Sequence, residues 1–262
     1  MTGSDPLLKL DTVTRRFGGL VAVNEVSFQI RSGEVKGLIG PNGAGKSTTF
    51  DLVTGVRPPS SGEVYFRGQR VTTQPAHTRS PMGMARTFQI VRLFSGLSVL
   101  ENVQLGLHPK FPDGIIRSLL RLGSLSGQER ASRERAMDLL AFVGLADRAG
   151  HAIDQLTLGQ LRLVDIARAL AADPVLLMLD EPAAGLNDAE TDNLGEMLVR
   201  LRQQGLSMLL VEHDIDFIMK ACDSIVVMDH GVKIADGLPA EVARNPDVIA
   251  AYFGRRAVHA AA

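Results

Sequence analysis

The feature that most constrains this chain is a glycine-rich segment that directly follows a short apolar run. Residues 40–47 read Gly-Pro-Asn-Gly-Ala-Gly-Lys-Ser, which satisfies every specified position of the pattern G-x-x-x-x-G-K-[ST]. The apolar run at 35–39 predicts a buried strand before the segment, and residues 48–53 can form a helix after it. Glycines let backbone N–H groups turn inward, and a helix N-terminus adds partial positive charge. The segment therefore predicts a phosphate-binding loop and a nucleotide site.

Each part of this loop has a predicted role. Lys46 is expected to reach the β- and γ-phosphates, and the Ser47 hydroxyl is expected to bind Mg²⁺. The residues assigned to nucleotide binding are contiguous: Gly40, Pro41, Asn42, Gly43, Ala44, Gly45, Lys46, Ser47 and Thr48. We also expect the Lys46 side chain to be exposed when no nucleotide is bound.

A second acidic cluster lies far along the chain. Residues 175–179 form an apolar run that ends in Asp180-Glu181-Pro182. A carboxylate at the end of a strand can hold Mg²⁺ through water, and Asp180 fits that role. Glu181 follows directly and could polarise the attacking water as general base. Alone, the pair could equally be a solvated turn; beside a phosphate loop it predicts a hydrolytic site.

The rest of the pattern predicts an α/β fold. Apolar runs at 206–211 and 225–228 resemble the run at 175–179, as expected for parallel strands that are buried on both faces. A helical face lies between the runs at 175–179 and 206–211 and is formed by Leu194, Met197, Leu198 and Leu201. A second helical pattern places Ala136, Leu139, Leu140 and Val143 on one face. We therefore predict a parallel sheet covered by helices, with a mostly helical insertion at about 92–165.

Composition excludes several classes of protein. The 262 residues carry 29 acidic and 28 basic side chains, a net charge of −1, which argues against a dedicated nucleic-acid binder. Hydrophobic residues make up 45 %, enough for a core. The single cysteine, Cys222, permits no intramolecular disulfide and is expected to be a buried small apolar residue. No apolar run reaches the ~20 residues of a membrane span, and the N-terminus does not read as a secretory signal, so we expect a cytosolic chain.

The remaining motifs identify a family. The segment Leu156-Thr157-Leu158-Gly159-Gln160, followed by a helix ending Ile-Ala-Arg-Ala-Leu at 166–170, resembles the LSGGQ signature of ATP-binding cassette (ABC) ATPases. Gln160 precedes Asp180 by 20 residues, close to the spacing of that family. Four further positions match family motifs: Gln89 the Q-loop, residues 184–187 the D-loop, His213 the switch histidine, and Phe17 the adenine-stacking aromatic. The resemblance covers about residues 7–254.

The resemblance implies a fold and a set of roles. The fold is a P-loop NTPase core with a parallel sheet, an N-terminal antiparallel β subdomain and the inserted helical subdomain, flanked by tails at 1–6 and 255–262. His213 would contact the γ-phosphate of ATP, and Gln89 would contact Mg²⁺ and water. Thr157, Gly159 and Gln160 would cover the γ-phosphate of a nucleotide held by the opposite subunit. Two cassettes, identical or homologous, would therefore close head-to-tail around two ATP molecules.

Two positions depart from the family pattern. Leu158 replaces a signature glycine, which bears on how closely the backbone can approach a phosphate. Asn187 replaces the usual D-loop aspartate, which keeps a hydrogen-bonding side chain but loses the charge. Similar substitutions occur among importers, so the departures do not imply an inactive site.

The resemblance also implies a biological role. One cassette without a membrane span resembles the peripheral ATPase subunit of a bacterial importer, placed at the cytoplasmic face of the inner membrane beside separate permease subunits and, indirectly, a periplasmic binding protein. Residues 85–103, 211–214 and 245–254 resemble the branched-chain amino-acid importer group. Related importers of urea, amides or aromatic acids, and lipopolysaccharide-type exporters, remain alternatives. A soluble ABC ATPase acting on ribosomes or DNA is disfavoured by the single cassette and the lack of basic excess. We expect a permease helix to dock between the Gln89 loop and the helical insertion, near Phe94 and Leu97.

Overall fold

The computed structural model describes residues 5–87, 91–107 and 127–253; of these, Phe253 is described by its backbone alone. The strands of this part of the chain are β1 (Leu8–Phe17), β2 (Leu20–Ile30), β3 (Val35–Ile39), β4 (Ser61–Phe66), β5 (Gln69–Arg70), β6 (Met84–Arg86), β7 (Leu176–Asp180), β8 (Ser207–Val211), β9 (Ser224–Asp229) and β10 (Val232–Gly237). The α-helices are α1 (Lys46–Thr54), α2 (Ala76–Arg79), α3 (Val99–Gly106), α4 (Gly127–Phe142), α5 (Leu158–Leu170), α6 (Asp188–Gln203), α7 (Ile215–Ala221), α8 (Pro239–Val242) and α9 (Pro246–Phe253).

These strands form two sheets. The first is antiparallel, with the order β2-β1-β4-β5. The second has six strands in the order β10-β9-β3-β8-β7-β6. Every neighbouring pair in it is parallel except β10 with β9, which form an antiparallel hairpin at one edge. The predicted parallel sheet and the N-terminal antiparallel sheet are thus confirmed.

The central strands are buried on both faces, which explains why their sequences are continuously apolar. In β8, Met208 and Leu210 join a core shared with the covering helices, whereas Leu209 and Val211 join a core shared with α1 and the antiparallel sheet. The strands β3 and β7 divide in the same alternating way. Both layers therefore hold the carboxyl ends of these strands in fixed positions at one edge of the sheet.

The segment between β6 and β7 contributes helices α3, α4 and α5, which pack on one another. The predicted apolar face of α4 is buried, and Gly144 after it has a positive φ of 77°, as a helix-ending glycine requires. A Cβ on Gly106 would lie 2.1 Å from the carbonyl oxygen of Arg168, so α3 and α5 approach closely. Helix α5 ends at Leu170.

Two further expectations concern single features of the chain. Cys222 is buried, and burial raises the pKa of its thiol well above the usual value, which confirms a small apolar residue rather than a reactive one. Among the residues that the structure describes, none belongs to a helix that is long and apolar enough to cross a bilayer.

Candidate nucleotide-binding site

The loop between β3 and α1 depends on glycine. Gly40, Gly43 and Gly45 have φ angles of 152°, 82° and 98°, conformations that side chains disfavour. A Cβ on Gly40 would lie 2.1 Å from the backbone oxygen of Met228. The loop therefore keeps this shape only because glycine occupies these positions.

Lys46 points back into this loop. Its Nζ donates hydrogen bonds to the carbonyl oxygens of Gly40 at 2.7 Å and Pro41 at 3.0 Å, and the residue is 8 % exposed. The expectation that Lys46 is exposed without nucleotide is therefore wrong, because the two carbonyls hold the ammonium group inside the loop. Burial lowers the pKa of Lys46, while the charges of Glu181 and Asp180 act to raise it.

The start of α1 is left open for an anion. Its N-cap, Gly45, has no side chain to cap the helix, and the first turn contains no acidic residue. The first N–H groups of a helix have no partner within the helix, so phosphate oxygens can take them. The Ser47 side chain is exposed at this end, Thr48 is half-buried and Asn42 is exposed. Ala44 is buried, and its carbonyl accepts the N–H of Gly231 at 3.0 Å.

Asp180 ends β7 at the same edge of the sheet. Its register partner is Val211, the last residue of β8, so both strands stop at one level. Burial raises the pKa of Asp180 to about 6, and the charge of Glu181 acts in the same direction. A carboxyl group that is costly to ionise in the empty protein is one that a bound cation would stabilise.

Glu181 occupies an uncommon backbone conformation, with φ of 49°. Its N–H donates to the carbonyl of Val211 at 2.8 Å. Its carbonyl accepts a hydrogen bond from Nη1 of Arg162 at 2.7 Å. Arg162 lies on α5 and is largely buried, so the helix that begins at the signature segment also supports the turn that carries Glu181. Sequence analysis missed Arg162, which has no local signal beyond its place on an otherwise apolar helix.

Glu212 is the second residue that sequence analysis missed. It is 0 % exposed and follows β8 directly. Its carboxylate accepts the N–H of Ala183 at 2.7 Å and that of His213 at 3.1 Å. Nδ1 of His213 lies 3.5 Å from Oε2 of Glu212, and the imidazole is 60 % exposed. A charged residue at the end of an apolar strand, next to a candidate histidine, was an available signal.

The signature segment forms the start of α5. Thr157 is its N-cap: the Thr157 hydroxyl accepts the N–H of Gln160 at 3.3 Å, and Oε1 of Gln160 accepts the N–H of Thr157 at 3.0 Å. Because the hydroxyl oxygen is the acceptor, its own proton is left to donate elsewhere. Gly159 is buried, and a Cβ there would lie 2.6 Å from Oε1 of Glu190. These residues belong to the start of α5 and not to the loop between β3 and α1.

The two departures from the family pattern each have a structural account. The Leu158 side chain is exposed and lies over Gly185, where a Cβ would be 2.9 Å from its Cδ2. Asn187 is the N-cap of α6: its Oδ1 accepts the N–H of Glu190 at 2.9 Å, and Glu190 accepts the N–H of Asn187 in return. Asparagine and aspartate cap helices about equally well, so the change at Asn187 preserves this contact.

Two further predicted residues complete the set. Phe17 ends β1 with its ring partly exposed, and the guanidinium groups of Arg15 and Arg57 lie 4.7 and 5.6 Å from the ring centroid. Its stacking on adenine stays a prediction. Gln89 lies outside the described residues, so its predicted contact with Mg²⁺ and water also stays a prediction.

The C-terminal helix α9 reaches the phosphate loop. Burial raises the pKa of Tyr252 on α9 to about 12, and the backbone of Gly40 acts in the opposite direction. The end of the chain that is described thus lies beside the first glycine of the loop.

A parallel sheet that carries a glycine loop, a buried lysine and two successive carboxylates at one edge defines a P-loop nucleotide-binding protein. Comparison with known proteins gives the family. A family model described as "ABC transporter" matches residues 23–184, and one described as "Branched-chain amino acid ATP-binding cassette transporter" matches residues 232–258. The chain belongs to the ABC transporter family and is an ATP-binding cassette ATPase.

Individual relatives agree with this assignment. The high-affinity branched-chain amino acid transport ATP-binding protein LivG of Salmonella typhimurium is 40 % identical over 252 residues, which cover 96 % of this chain and 99 % of LivG. The ADP conformation of MJ1267, an ATP-binding cassette of an ABC transporter, matches with a TM-score of 0.82 and 29 % identity, covering 96 % of this chain and 100 % of that one. The cassette MJ0796, dimeric with ADP and Pi, matches with a TM-score of 0.75 and 28 % identity over 88 % of this chain and 98 % of that one.

Proposed function

We propose that this chain is the ATP-hydrolysing subunit of an importer for branched-chain amino acids, acting at the cytoplasmic face of the membrane through separate permease subunits. The observation that carries the proposal is the near full-length likeness to LivG, together with the C-terminal match at 232–258. We propose that the cassette spans 7–254 and that its helical subdomain lies at about 92–165.

In this proposal ATP lies along the carboxyl edge of the sheet. The loop at 40–48 holds the phosphates through backbone N–H groups and Lys46. Ser47, Asp180 and Gln89 hold Mg²⁺, which would neutralise phosphate charge and relieve the cost of ionising Asp180. Glu181 takes the proton of the attacking water.

The second half of each site comes from a partner cassette. In one chain the signature residues Thr157, Gly159 and Gln160 belong to a different element from the phosphate loop, and Thr157 is exposed. This arrangement favours contact with a nucleotide held by the opposite subunit. The dimeric cassette MJ0796 supports this arrangement by likeness. ATP binding would close the two cassettes, and loss of phosphate would reopen them.

A groove beside the helical subdomain is the proposed permease site. Its volume is about 660 Å³, and its apolar floor includes Met84, Leu105 and Ala172. Four arginines line it as well: Arg79, Arg86, Arg92 and Arg168. An amphipathic permease helix with acidic residues at its rim would match this chemistry. Phe94 is 58 % exposed and lines the groove, whereas Leu97 is half-buried and does not line it.

Reconstitution tests the transported substrate. The subunit is assembled in vesicles with the permease subunits and the periplasmic binding protein of its transporter. Leucine, isoleucine or valine should stimulate ATP turnover. Each should also accumulate on the side of the membrane opposite to the binding protein. Stimulation by urea, an amide or an aromatic acid instead would assign a related importer, and export without any binding protein would contradict import.

A surface variant tests the docking groove. Phe94→Asp should prevent assembly or uncouple ATP turnover from transport, because a carboxylate would be buried against the permease. ATP binding by the isolated chain should not change. Leu238→Asp is the matched control, since Leu238 is equally exposed but does not line the groove. A fully active transporter with Phe94→Asp would contradict this surface.

A further inference from the structure

Burial of the Glu212 carboxylate costs free energy of folding. The residue is fully buried at the end of β8, and burial raises its pKa, although the N–H groups of Ala183 and His213 act in the opposite direction. Among the interactions described for this residue, the hydrogen bonds come from backbone N–H groups rather than from a lysine or an arginine. An apolar residue would end the strand without the cost of burying a charge. The position therefore calls for an account beyond stability.

The contacts of Glu212 link two parts of the candidate site. One carboxylate oxygen accepts the N–H of Ala183, two residues after Glu181 in the same turn, at 2.7 Å. The other accepts the N–H of His213 at 3.1 Å and lies 3.5 Å from Nδ1 of the same residue. A carboxylate and a ring nitrogen attract each other at that distance only when the nitrogen carries the proton. The geometry thus favours a proton on Nδ1 and leaves Nε2 to face outward.

We propose that Glu212 is a positioning residue of the ATPase site: its carboxylate ties the turn that carries Glu181 to His213 and sets which ring nitrogen of His213 faces the γ-phosphate. This inference rests on the proposed contact of His213 with the nucleotide. The histidine side chain is mostly exposed and has freedom to rotate, so a fixed neighbour is what would give it one orientation. The same neighbour holds the Ala183 N–H, so any movement of the turn would be transmitted to the histidine.

A conservative variant separates this role from mere packing. Glu212→Gln keeps the shape, but an amide has one acceptor oxygen for two N–H donors, and its NH₂ group can donate to Nδ1 of His213. The ring proton should then move to Nε2. Glu212→Asp keeps the charge but shortens the side chain, so it should retain part of the wild-type behaviour.

The first measurement is the tautomer of His213 in the nucleotide-free full chain. Nitrogen-15 chemical shifts of the imidazole, assigned with His213→Asn, report it directly. We expect the Nδ1–H form in the wild type and the Nε2–H form in Glu212→Gln. An Nε2–H form in the wild type would overturn the proposal, even if every Glu212 variant failed to fold.

The second measurement is ATP turnover in the assembled transporter. Glu212→Gln should lower kcat about 10- to 100-fold, as loss of an orienting partner does for ligand histidines, with less than about threefold change in the KM for ATP. The kcat of Glu212→Asp should lie between those of the wild type and Glu212→Gln. Glu196→Gln, an exposed change on α6, serves as control. Normal kcat and an unchanged tautomer in Glu212→Gln would overturn the proposal.

One further variant separates the two levels of the argument. If His213→Ala retains normal turnover, then the proposed role of His213 fails and the inference on Glu212 fails with it. If His213→Ala is inactive while Glu212→Gln is unaffected, then only the inference on Glu212 fails.

Discussion

The phosphate loop and the signature segment both precede a helix, yet their helix N-termini are built in opposite ways. Helix α1 begins after Gly45 with no side-chain cap, so its first N–H groups are available to hydrogen-bond a ligand. Helix α5 begins after its N-cap Thr157, with a reciprocal cap between Thr157 and Gln160. The loop is thus incomplete without an anion, whereas the signature helix is complete on its own.

This difference suits different tasks. An uncapped helix end gains stability from a bound phosphate, which makes the loop the strong binding half of the site. A capped helix end has its first N–H groups partly satisfied, so its exposure to solvent costs little free energy. The signature helix can therefore remain at a surface until a partner cassette brings a nucleotide. Changes in the loop should therefore affect binding by a single chain, and changes in the signature segment should affect only the assembled pair.

The largest effect is expected at Lys46. Lys46→Ala removes the ammonium group that the carbonyls of Gly40 and Pro41 hold in the loop. Because both affinity and turnover use this charge, kcat/KM for ATP should fall on the order of 10⁴-fold in the assembled complex. The free energy of unfolding should change by about 1 kcal/mol or less. Lys220→Ala on α7 is the control, and unchanged ATP turnover in Lys46→Ala would refute the assignment.

The next effect is expected at Glu181. Glu181→Gln keeps the shape of the side chain but cannot accept a proton from water, so kcat should fall by about 10²–10⁴-fold. ATP should remain bound, because loss of a negative charge near the phosphates relieves repulsion, and the two cassettes should stay closed. Nucleotide occupancy and turnover are measured together, with Asp216→Asn as control. Near-normal turnover would transfer the role of base to another residue, with His213 the next candidate.

A smaller effect is expected in the signature segment. Gly159→Ala places a methyl group 2.6 Å from Oε1 of Glu190, so either the Glu190 carboxylate, which accepts the N–H of Asn187, or the start of α5 must move. Turnover by the assembled pair should fall roughly 10-fold, as a misplaced phosphate contact would cause. ATP affinity of the isolated chain should stay within about twofold. Weakened ATP binding by the isolated chain would contradict the difference drawn between the two segments.

The same difference explains what could be predicted from the sequence. The phosphate loop obeys a local rule in which each glycine and the lysine have fixed spacing, and the buried strands have continuous apolar runs, so both could be located in advance. The contacts of Arg162 with Glu181 and of Glu212 with Ala183 join segments 19 and 29 residues apart. Such pairings arise only once the sheet is assembled, and although the position of Glu212 carries a local signal, no local pattern encodes which residues it or Arg162 contacts. The burial of Lys46 was missed for a related reason, because the groups that hold its side chain are backbone carbonyls.

Asp180 lies at the same edge of the sheet as the phosphate loop, and its burial lowers the free energy of unfolding by an amount that can be measured. Its pKa is raised to about 6, from a usual value of 3.8, by burial and by the charge of Glu181. For an acid with a raised pKa in the folded state, the folded protein binds more protons than the unfolded one between these two values. Stability therefore falls as pH rises from about 4 to about 6, and the full cost is present above pH 6.

Asp180→Asn should remove that cost. In the presence of EDTA and without nucleotide, the free energy of unfolding at pH 7.5 should rise by about 1–2 kcal/mol, less than the ~3 kcal/mol that the pKa alone implies, because water reaches the end of the strand. The gain should shrink below pH 6 and vanish below about pH 4, where the carboxyl group is neutral in both states. Denaturant titrations of both proteins across this range provide the measurement, with Asp216→Asn as control. A gain that persists at pH 3.5 would assign the effect to packing rather than to charge. With Mg²⁺ and ATP bound the order should reverse, since the charged carboxylate binds the metal more strongly than an uncharged amide does. That reversal would mark Asp180 as a residue kept for the ligand at the expense of stability without it.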